Sequence, residues 1–404
     1  MDIAVIGGGA AGFFAAIAVK ENYPFAKVVI LEKTQQLLAK VKVSGGGRCN
    51  VTNGCTSISE LSTAYPRGGK ALKKAFHTFN TKHAIQWFES RGVALVTQED
   101  NCVFPASQNS QSIIDCFLQQ AKMLHVQIEL GRGIKAIKPI DDRLELEFIE
   151  ENVPARTFDK VIVATGGCPH KKGLRWLERL HHKIEAPVPS LFTFNMPKEP
   201  ITELMGIVVE NTLVGIQGSK LKSAGPLLIT HWGMSGPAIL KLSALGARLL
   251  SEKGYEFQIQ VNWAGLQNNQ VVMDDLMTIA SEHPHKLLAN IRPYSLPERL
   301  WRHLLKRGDM SASKKWGELG KKGLNRLVNL LSNDIYSVRG KSRFKEEFVT
   351  CGGVSLESVD LNTMQSKVCK NLYFAGELLD IDGITGGYNF QAAWTTAYIA
   401  ARLK

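Results

Sequence analysis

A charge-free stretch near the N-terminus, IAVIGGGAAGFFAAIAV at residues 3–19, constrains the fold more than any other part of the chain. It lies at the lower limit of length for a membrane-spanning helix, and its glycines are poor residues for a helix interior. A secretion signal needs a basic segment ahead of its apolar core, but only Met1 and Asp2 precede this one. We therefore expect neither a membrane span nor a signal peptide here.

The glycines of this stretch match a phosphate-binding turn. Gly7, Gly9 and Gly12 form G-x-G-x-x-G after an apolar strand at residues 3–6, and Ala15, Ala16 and Ala18 continue as a helix with a face of small residues. In such turns the first glycine makes the bend, the second lets the backbone approach a pyrophosphate, and the third lets helix and strand pack closely. The helix N-terminus adds amide N–H groups and a positive dipole end. The stretch predicts a dinucleotide cradle.

A second strand, at residues 28–31, ends at Glu32. Glu32 follows Gly12 at about 20 residues, which is the spacing at which dinucleotide-binding folds place an acid. Such an acid binds a ribose 2′-hydroxyl and disfavours a 2′-phosphate, so Glu32 is predicted to hold the adenosine ribose.

Two later apolar strands also end in glycine-containing turns. Thr165, Gly166 and Gly167 follow the strand at residues 161–164, and Gly376 follows the strand at residues 371–375. Glycine at a strand end lets a ligand lie against the backbone. For the segment at residues 165–167, a plain turn without a ligand is the alternative.

The C-terminal stretch NLYFAGELLDIDGITGGYNFQAAW, which begins at Asn371, predicts a flavin site better than a nicotinamide site. Glu377 or Asp382 can accept a hydrogen bond from a polyol hydroxyl. A helix beginning near Asn389 would place positive potential beside a ring that becomes anionic when reduced. If so, the two ends of the chain build one site, and the nucleotide-binding domain is discontinuous.

A third segment, VSGGGRCNVTN at residues 43–53, offers bare backbone amides, the cation of Arg48 and several hydrogen-bonding side chains. This composition suits an anion or a flavin edge, and a polar turn with an exposed arginine is the alternative. Cys49 is more typical of a buried small residue than of a nucleophile, because no histidine is visibly coupled to it.

The order of predicted elements gives an α/β fold interrupted by other domains. We predict a nucleotide-binding domain in two parts, at residues 1–187 and 350–404. Between them lie a β unit at residues 188–270, a helical insert at 271–332 and a return to the β unit at 333–349. The predicted helices span residues 70–91, 110–123, 274–280, 297–306, 324–331 and 390–403.

Charge is concentrated in the insert. The chain has a net charge of +12, and residues 299–345 contain thirteen Lys or Arg against Asp309, Glu318 and Asp334. Such a region can bind nucleic acid, a membrane surface or an anionic substrate, or it can be a solvated helix face. Because the insert shows no recognised RNA-binding module, and only Trp301 and Trp316 are candidate stacking residues, we do not expect nucleic acid as the partner.

The seven cysteines are scattered, without C-x-x-C or zinc spacing. This distribution predicts free thiols, no metal site and a reducing, cytoplasmic location. The oligomeric state has no signature in the sequence.

Several motifs, taken together in chain order, resemble a known family. They are GGGAAG, SGGGRCNVTN, ATGG, THWGMSGPAIL, TCGGV and GELLDIDGITGGYNFQ. The chain resembles the bacterial flavoprotein family of NAD(P)/FAD-dependent oxidoreductases that includes aminoacetone oxidases and a bile-acid-reducing branch. The motifs are spread over nearly the whole chain. One departure is the short basic segment CPHKKGLRWLERLHHK after ATGG, where the family has a longer Ser/Gly-rich loop.

The resemblance implies a glutathione-reductase-type, Rossmann-like FAD domain interrupted by a β-barrel-like domain and a small helical domain. It also implies FAD contacts at a set of residues spread along the chain: Gly7, Gly9, Ala10, Glu32, Lys33, Ser44, Gly45, Arg48, Cys49, Asn50, Thr165, Gly376, Gly387, Asn389 and Phe390.

We therefore predict an FAD-dependent oxidoreductase acting on a small molecule, with hydride passing through flavin N5. No second G-x-G-x-x-G follows a strand, so any NAD(P)H should bind transiently at the flavin face. Reduction of an activated C=C by NAD(P)H and oxidation of a small amine by oxygen both remain open. So do a nucleic-acid-modifying flavoprotein and a flavin sensor without turnover.

Two side chains are candidates for the chemistry itself. Arg48 can stabilise charge on the flavin or the substrate. His231, in THWGMSGPAIL, can move a proton, and the alternative is that it only braces the turn.

Overall fold

The described residues of the computed structural model, 1–341 and 349–404, divide into two units. The first unit comprises residues 1–190 and 349–404, and the second comprises residues 191–341. The first boundary lies three residues beyond the position predicted from the sequence. The predicted helical insert belongs to the same unit as the β residues that precede it.

The strands, in chain order, are β1 Asp2–Ile6, β2 Lys27–Glu32, β3 Thr52–Asn53, β4 Leu95–Thr97, β5 Cys102–Pro105, β6 Gln127–Leu130, β7 Ile134–Ile140, β8 Arg143–Phe148, β9 Arg156–Phe158, β10 Lys160–Val163, β11 Ile184–Ser190, β12 Phe194–Asn195, β13 Val208–Ile216, β14 Lys222–Thr230, β15 Gly233–Ser235, β16 Glu256–Asn262, β17 Asp334–Arg339, β18 Val349–Val354, β19 Val359–Asp360, β20 Gln365–Ser366 and β21 Leu372–Phe374. The α-helices are α1 Ala10–Asn22, α2 Ala39–Gly47, α3 Ile58–Thr63, α4 Gly69–Ala75, α5 Thr81–Glu89, α6 Gln111–Met123, α7 Arg175–Glu178, α8 Pro237–Leu245, α9 Ala247–Glu252, α10 Asn269–Glu282, α11 Glu298–Arg307, α12 Gly320–Ser332 and α13 Tyr388–Ala400.

The first unit is built on a seven-stranded sheet of order β19-β20-β21-β10-β1-β2-β6. Strand β1 pairs in parallel with both β2 and β10, and β10 pairs in parallel with β21. Ile6 lies opposite both Leu31 and Val163, and Val163 lies opposite Phe374. The carboxyl ends of four parallel strands therefore meet along one edge of the sheet, which is where ligands bind in folds of this kind.

Helices α1 and α13, one from each end of the chain, pack beside this sheet. The ring of Phe14 in α1 lies 4.7 Å from that of Trp87 and 5.5 Å from that of Trp394 in α13. Burial of these aromatic side chains supplies a large hydrophobic contribution and fixes the two helices against each other. The C-terminal segment is thus an integral part of the nucleotide-binding unit.

The single helix predicted at residues 70–91 is wrong, because the structure has two helices there, α4 and α5. Asn80 begins α5, and its side-chain oxygen accepts hydrogen bonds from the backbone N–H groups of Lys82 and His83. Asparagine is a favoured N-cap. Phe76 and Phe79 are both buried within the break between α4 and α5, so the apolar pattern continues although the helix does not.

The second unit contains an antiparallel sheet of order β12-β15-β14-β13-β16-β17. Its two edge strands also approach each other, because the backbone N–H of Asn195 donates to the oxygen of Gly340 at 3.2 Å and Phe194 bridges to Lys341. The sheet thus closes on itself, as the predicted β-barrel-like domain requires. The predicted return to the β unit at residues 333–349 begins with strand β17 at Asp334, and residues 342–348 of that prediction lie outside the described residues.

Helices α10, α11 and α12 form the basic insert. Trp301 and Trp316 are fully buried, with parallel rings 6.4 Å apart. They are core residues, so the sequence-based assignment of these two side chains as candidate stacking platforms is wrong. Within the part of the chain that the structure describes, no helix is long and apolar enough to cross a membrane.

Candidate functional site

The turn between β1 and α1 has closely packed glycines at its two ends and an open one in the middle. Gly7 has a positive φ of 113°, and a Cβ there would lie 2.4 Å from the oxygen of Ala164. A Cβ at Gly12 would lie 1.9 Å from the oxygen of Gly7, whereas one at Gly9 would meet nothing within 4 Å. Packing therefore requires Gly7 and Gly12, while Gly9 and the half-buried Ala10 border the space in which the motif places a pyrophosphate.

Glu32 lies beside this turn at the end of β2. Its Oε2 accepts the backbone N–H of Gly8 at 2.8 Å, and its Oε1 accepts the N–H and the hydroxyl of Thr34, both at 2.8 Å. These bonds hold the carboxylate next to the start of α1. The neighbouring Lys33 is exposed. Their roles toward a ribose and its flanking phosphates stay predictions.

Residues 44–47 are the unwound end of α2, where Ser44, Gly45 and Gly46 leave the helical conformation. Gly45, Gly46 and Gly47 have φ values of 55°, 67° and 84°, and Cβ atoms on the last two would meet nothing within 4 Å. Ser44 Oγ donates to the oxygen of Val41 at 2.8 Å. Successive left-handed glycines turn bare backbone toward open space, which suits an approaching flat or anionic group.

Arg48 and Cys49 follow this turn. The Arg48 guanidinium lies 4.2 Å from the ring of Phe104, and it donates to the oxygen of Gly45 at 3.2 Å and to Gln108 Oε1 at 3.3 Å. Cys49 is fully buried, and burial raises the pKa of its thiol to about 12. A thiol with this pKa is not a nucleophile at neutral pH, in agreement with the small-residue interpretation.

Residues 50–53 and the C-terminal turn lie side by side. The Asn53 side-chain amide donates to the oxygen of Gly386 at 2.9 Å, and Trp394 Nε1 donates to the oxygen of Val51, also at 2.9 Å. Asn50 Oδ1 accepts the N–H of Val103 at 3.2 Å. The two chain segments that the sequence assigned to one flavin site are therefore neighbours in the structure.

The start of α13 is held by its own side chains. Gly387 precedes it with a φ of 82°, and the Asn389 amide both accepts from and donates to the backbone of Gly383, at 2.9 and 3.0 Å. Phe390 stacks on Trp394 with ring centroids 5.4 Å apart. Asn389 thus fixes the shape of the 383–389 turn, and Phe390 extends the aromatic core toward it.

The two candidate acids of the C-terminal stretch already have protein partners. Glu377 accepts the N–H of Thr350 at 2.8 Å and pairs with Lys40 at 2.7 Å. Asp382 is fully buried, where both of its oxygens bind Arg67 and one also accepts the Ser190 hydroxyl at 2.7 Å. This geometry favours a positioning role for Asp382 over the predicted contact with a polyol hydroxyl. No local pattern in the sequence points to Arg67, because its partner Asp382 lies far along the chain.

Two more strand ends complete the edge of the sheet. Thr165 is exposed, and Gly166 has a φ of 73° with open space around its Cβ position. Gly376, with a φ of 76°, donates its N–H to Thr396 Oγ1 at 2.9 Å, and its Cβ would lie 2.7 Å from that of Ala11. Gly376 therefore lets the strand end pack against α1.

His231 belongs to the second unit, in the turn between β14 and β15. It is exposed, and its ring lies edge-on to Trp232 with centroids 4.3 Å apart. The turn itself is held by Thr230, whose hydroxyl accepts from the N–H of Gly233 at 3.2 Å and donates to its oxygen at 3.1 Å. Thr230 rather than His231 braces the turn. The proton-transfer role of His231 stays a prediction.

The residues of the first unit fit an FAD. An open Gly9 at the N-terminus of the thirteen-residue helix α1 and an acid at the end of β2 suit the ADP half. A Cβ at Gly46, Gly47 or Gly166 would meet nothing within 4 Å, so these positions leave open space of the kind that a flat ring system needs. Among the described residues, no group of three or more His, Cys, Asp or Glu could hold a metal ion.

The fold and this cradle define an FAD-dependent oxidoreductase. The family model described as "HI0933-like protein Rossmann domain" matches residues 1–403, and the chain belongs to this family. The predictions of an FAD cofactor, of an oxidoreductase and of the family resemblance are confirmed.

Similar proteins with named activities cover the chain almost completely. A 3-dehydro-bile acid delta(4,6)-reductase of Clostridium scindens is 27% identical, over 99% of this chain and 98% of that protein. Ribosomal RNA dihydrouridine synthases of Haemophilus influenzae and Escherichia coli are 25% and 26% identical, over 98% and 99% of this chain and 96% and 97% of theirs.

Solved structures share the fold. The 3-ketosteroid delta1-dehydrogenase of Sterolibacterium denitrificans aligns with a TM-score of 0.53 at 10% identity, over 99% of this chain and 98% of that one. The 3-ketosteroid-delta4-(5alpha)-dehydrogenase of Rhodococcus jostii aligns with a TM-score of 0.51 at 12% identity, over 99% and 96%.

Proposed function

We propose that the protein reduces a carbon–carbon double bond conjugated with a carbonyl group, with NAD(P)H as the electron donor. The observation that carries this proposal is the FAD cradle in a chain whose similar proteins are named for such reductions. A delta(4,6)-reductase saturates ring double bonds, and dihydrouridine is uridine with its ring double bond saturated. Both names therefore refer to saturation of a ring double bond, although the two substrates differ.

When bound, FAD supplies hydride transfer. The chain's own residues bind and orient it: the α1 N-terminus would face the pyrophosphate, and Glu32 the adenosine ribose. The turn at residues 45–50 and the start of α13 would flank the ring, where the helix N-terminus favours a negative charge. Arg48 is the proposed fixed cation at this end.

Reduction of a conjugated C=C also needs a proton for the carbon next to the carbonyl group. His231 is the candidate donor, because imidazole exchanges protons near neutral pH. Replacing His231 with Gln tests this role. The rate of substrate reduction should fall while flavin binding is retained.

The first candidate substrate is a small molecule, as expected from the sequence, and we propose that it carries an enone. A second candidate is a uracil ring within ribosomal RNA, which carries the same conjugated bond. Two observations favour this candidate. The chain has a net charge of +12, and two ribosomal RNA dihydrouridine synthases match nearly its full length. A polyanion gains affinity from basic side chains whatever its base sequence.

Product analysis distinguishes the candidates. The purified protein is incubated without oxygen with NADH or NADPH and either a 3-dehydro-Δ4,6 bile acid or ribosomal RNA that lacks dihydrouridine. We expect mass spectrometry to show a gain of two hydrogens in one of these substrates. If neither gains hydrogen and a small amine is oxidised when oxygen is present, the proposal is contradicted and the amine-oxidase alternative stands.

A further inference from the structure

A polar pocket of about 530 Å³ lies within the second unit, on the outer face of its closed sheet. Its floor and sides come from adjacent positions of three strands, with Gly215 paired to Lys222 on one side and to Gln260 on the other. The residues after β16 and the end of α12 complete the wall. The lining residues are Leu213, Gly215, Lys222, Gln260, Asn262, Gln267, Asn268, Asn269 and Ser332.

Gly215 has no packing reason to be a glycine. It lies inside a strand without a positive φ, and a Cβ there would be in ordinary contact, 3.4 Å from Cγ of Lys222 and 3.5 Å from the oxygen of Leu221. Glycine weakens a strand interior, and it often marks a place where a ligand approaches the backbone. At this position the missing side chain is what keeps the pocket open.

Most of the polar side chains around this floor are amides. Asn262 is 7% exposed, and its Nδ2 donates to the oxygen of Leu266 at 2.6 Å, but its Oδ1 has no hydrogen-bond partner among the described residues. A buried acceptor without a partner is costly, so such groups call for an explanation. Five of the nine lining residues are Asn or Gln, and none is acidic.

A cation and a helix N-terminus lie in the same lining. Lys222 contributes an exposed ammonium group, and Asn268 is the N-cap of the fourteen-residue helix α10, where its side chain accepts the N–H of Gln270 at 2.9 Å. Lysine and the start of a helix both favour phosphate. Amide side chains present a donor and an acceptor side by side, which matches the edges of nucleobases.

We propose that this pocket binds a ribonucleoside phosphate, with the base edge against Gln260 and Asn262 and the phosphate near Lys222 and the start of α10. The proposal is independent of the reaction proposed above, because the pocket is made of other residues and binding needs no turnover. The nucleotide can be free, as in the adenylate half of a nicotinamide dinucleotide, or part of RNA.

Calorimetric titration of the FAD-loaded protein tests the site. Bound FAD keeps the probes out of the dinucleotide cradle. We expect UMP or AMP to bind with one site per chain at millimolar concentrations, and ribose 5-phosphate to bind at least tenfold more weakly. Equal binding of ribose 5-phosphate would show a simple anion site and overturn the proposal, as would the absence of saturable nucleotide binding.

Two variants locate the binding. Gly215→Val fills the floor with a residue that strands favour, and Gln260→Glu replaces an amide with a charge that repels phosphate. Each should weaken nucleotide binding at least tenfold. The matched control, Gln258→Glu, makes the same change two residues away on the same exposed strand face, outside the lining, and should alter binding less than threefold.

Equal losses of nucleotide affinity in Gln260→Glu and Gln258→Glu would overturn the assignment of binding to this pocket. Flavin content and thermal unfolding show whether Gly215→Val is folded, and Gln260→Glu gives the answer if it is not. NAD⁺, which cannot reduce the flavin, would identify the free dinucleotide as the source if it bound more tightly than AMP. A short oligouridylate that bound more tightly than UMP would identify RNA.

Discussion

At the residue scale, hydrogen-bond partners decide which polar side chains remain able to meet a ligand. The Asp382 carboxylate binds Arg67 and Ser190, whereas the Glu32 carboxylate accepts hydrogen bonds from the backbone of Gly8 and from the nearby Thr34. Glu32 is also only half-buried, so its carboxylate can still accept a ribose hydroxyl.

Replacing Glu32 with Ala should therefore weaken FAD binding by about 1.5–3 kcal/mol, the range for a hydrogen bond to a charged group. Fluorescence titration of the apoprotein with FAD measures the dissociation constant. The control is Glu129→Ala, which removes an acid from the neighbouring strand, where it pairs with Arg132 and Arg156. An unchanged constant in Glu32→Ala would show that the acid does not contact the cofactor.

His182 gives a pH-dependent prediction. It is buried, with its ring nitrogens next to the oxygen of Leu177 and the hydroxyl of Ser366, and burial lowers its pKa below the ordinary value. The unfolded chain therefore binds this proton more readily, and stability should fall as the pH drops below about 6.5. Above that pH the contribution of His182 is fully present.

Urea unfolding of wild type and His182→Gln at pH 7.5 and 5.5 measures this contribution. The wild type should lose more stability between the two pH values than the variant. The control, His77→Gln, changes an exposed histidine and should keep the wild-type difference. Equal pH dependence in wild type and His182→Gln would rule out His182 as its source.

At the element scale, the sequence predicted those helices and strands whose signals are local. The strand, turn and helix at residues 2–22 follow from an apolar run and glycine spacing, and α6 follows from its apolar periodicity. The break at Asn80 was missed because the apolar pattern continues across it. The unwinding of α2 and the partners of Asp382 depend on contacts between distant segments, which spacing along the chain does not report.

The contact between the turn before α13 and Thr52 requires a glycine at position 387. It has a positive φ, and a Cβ would lie 2.2 Å from the oxygen of Thr52. Gly387→Ala should therefore displace the start of α13, release FAD and destabilise the protein by about 1–3 kcal/mol. The control is Gly92→Ala, at a φ of 83° with nothing within 4 Å, which adds backbone strain alone. Retention of FAD in Gly387→Ala would contradict the assignment of this turn to the cofactor.

The buried pair of Arg67 and Asp382 fixes the segment before that turn. Arg67→Met leaves the carboxylate without its cation, so we expect a loss of about 3–5 kcal/mol in the free energy of unfolding. Chemical denaturation measures it. In the double variant Arg67→Met with Asp382→Leu no charge is buried, and it should regain part of the loss. A smaller loss in the single variant would mean that water reaches Asp382.

At the scale of the whole molecule, the sequence has one dinucleotide motif, and we propose that FAD uses it. A nicotinamide would then lack a glycine-rich turn and helix N-terminus of this type for its pyrophosphate, so its productive complex should be short-lived. The basic residues of the second unit are suited to attract an anion from solution, an effect that salt weakens. These features agree with transfer of electrons from a transient donor to a tightly held flavin.

Anaerobic stopped-flow measurement of flavin bleaching shows whether a nicotinamide is such a transient donor. The purified FAD-loaded protein is mixed with NADH, with NADPH or with small amines at increasing concentrations. We expect a nicotinamide to bleach the flavin at a rate that rises nearly linearly, beyond the micromolar concentrations at which tight sites saturate. Saturation at low micromolar nicotinamide would reveal a dedicated second site and contradict the transient complex. Bleaching by an amine, with none by either nicotinamide, would contradict the reductase itself.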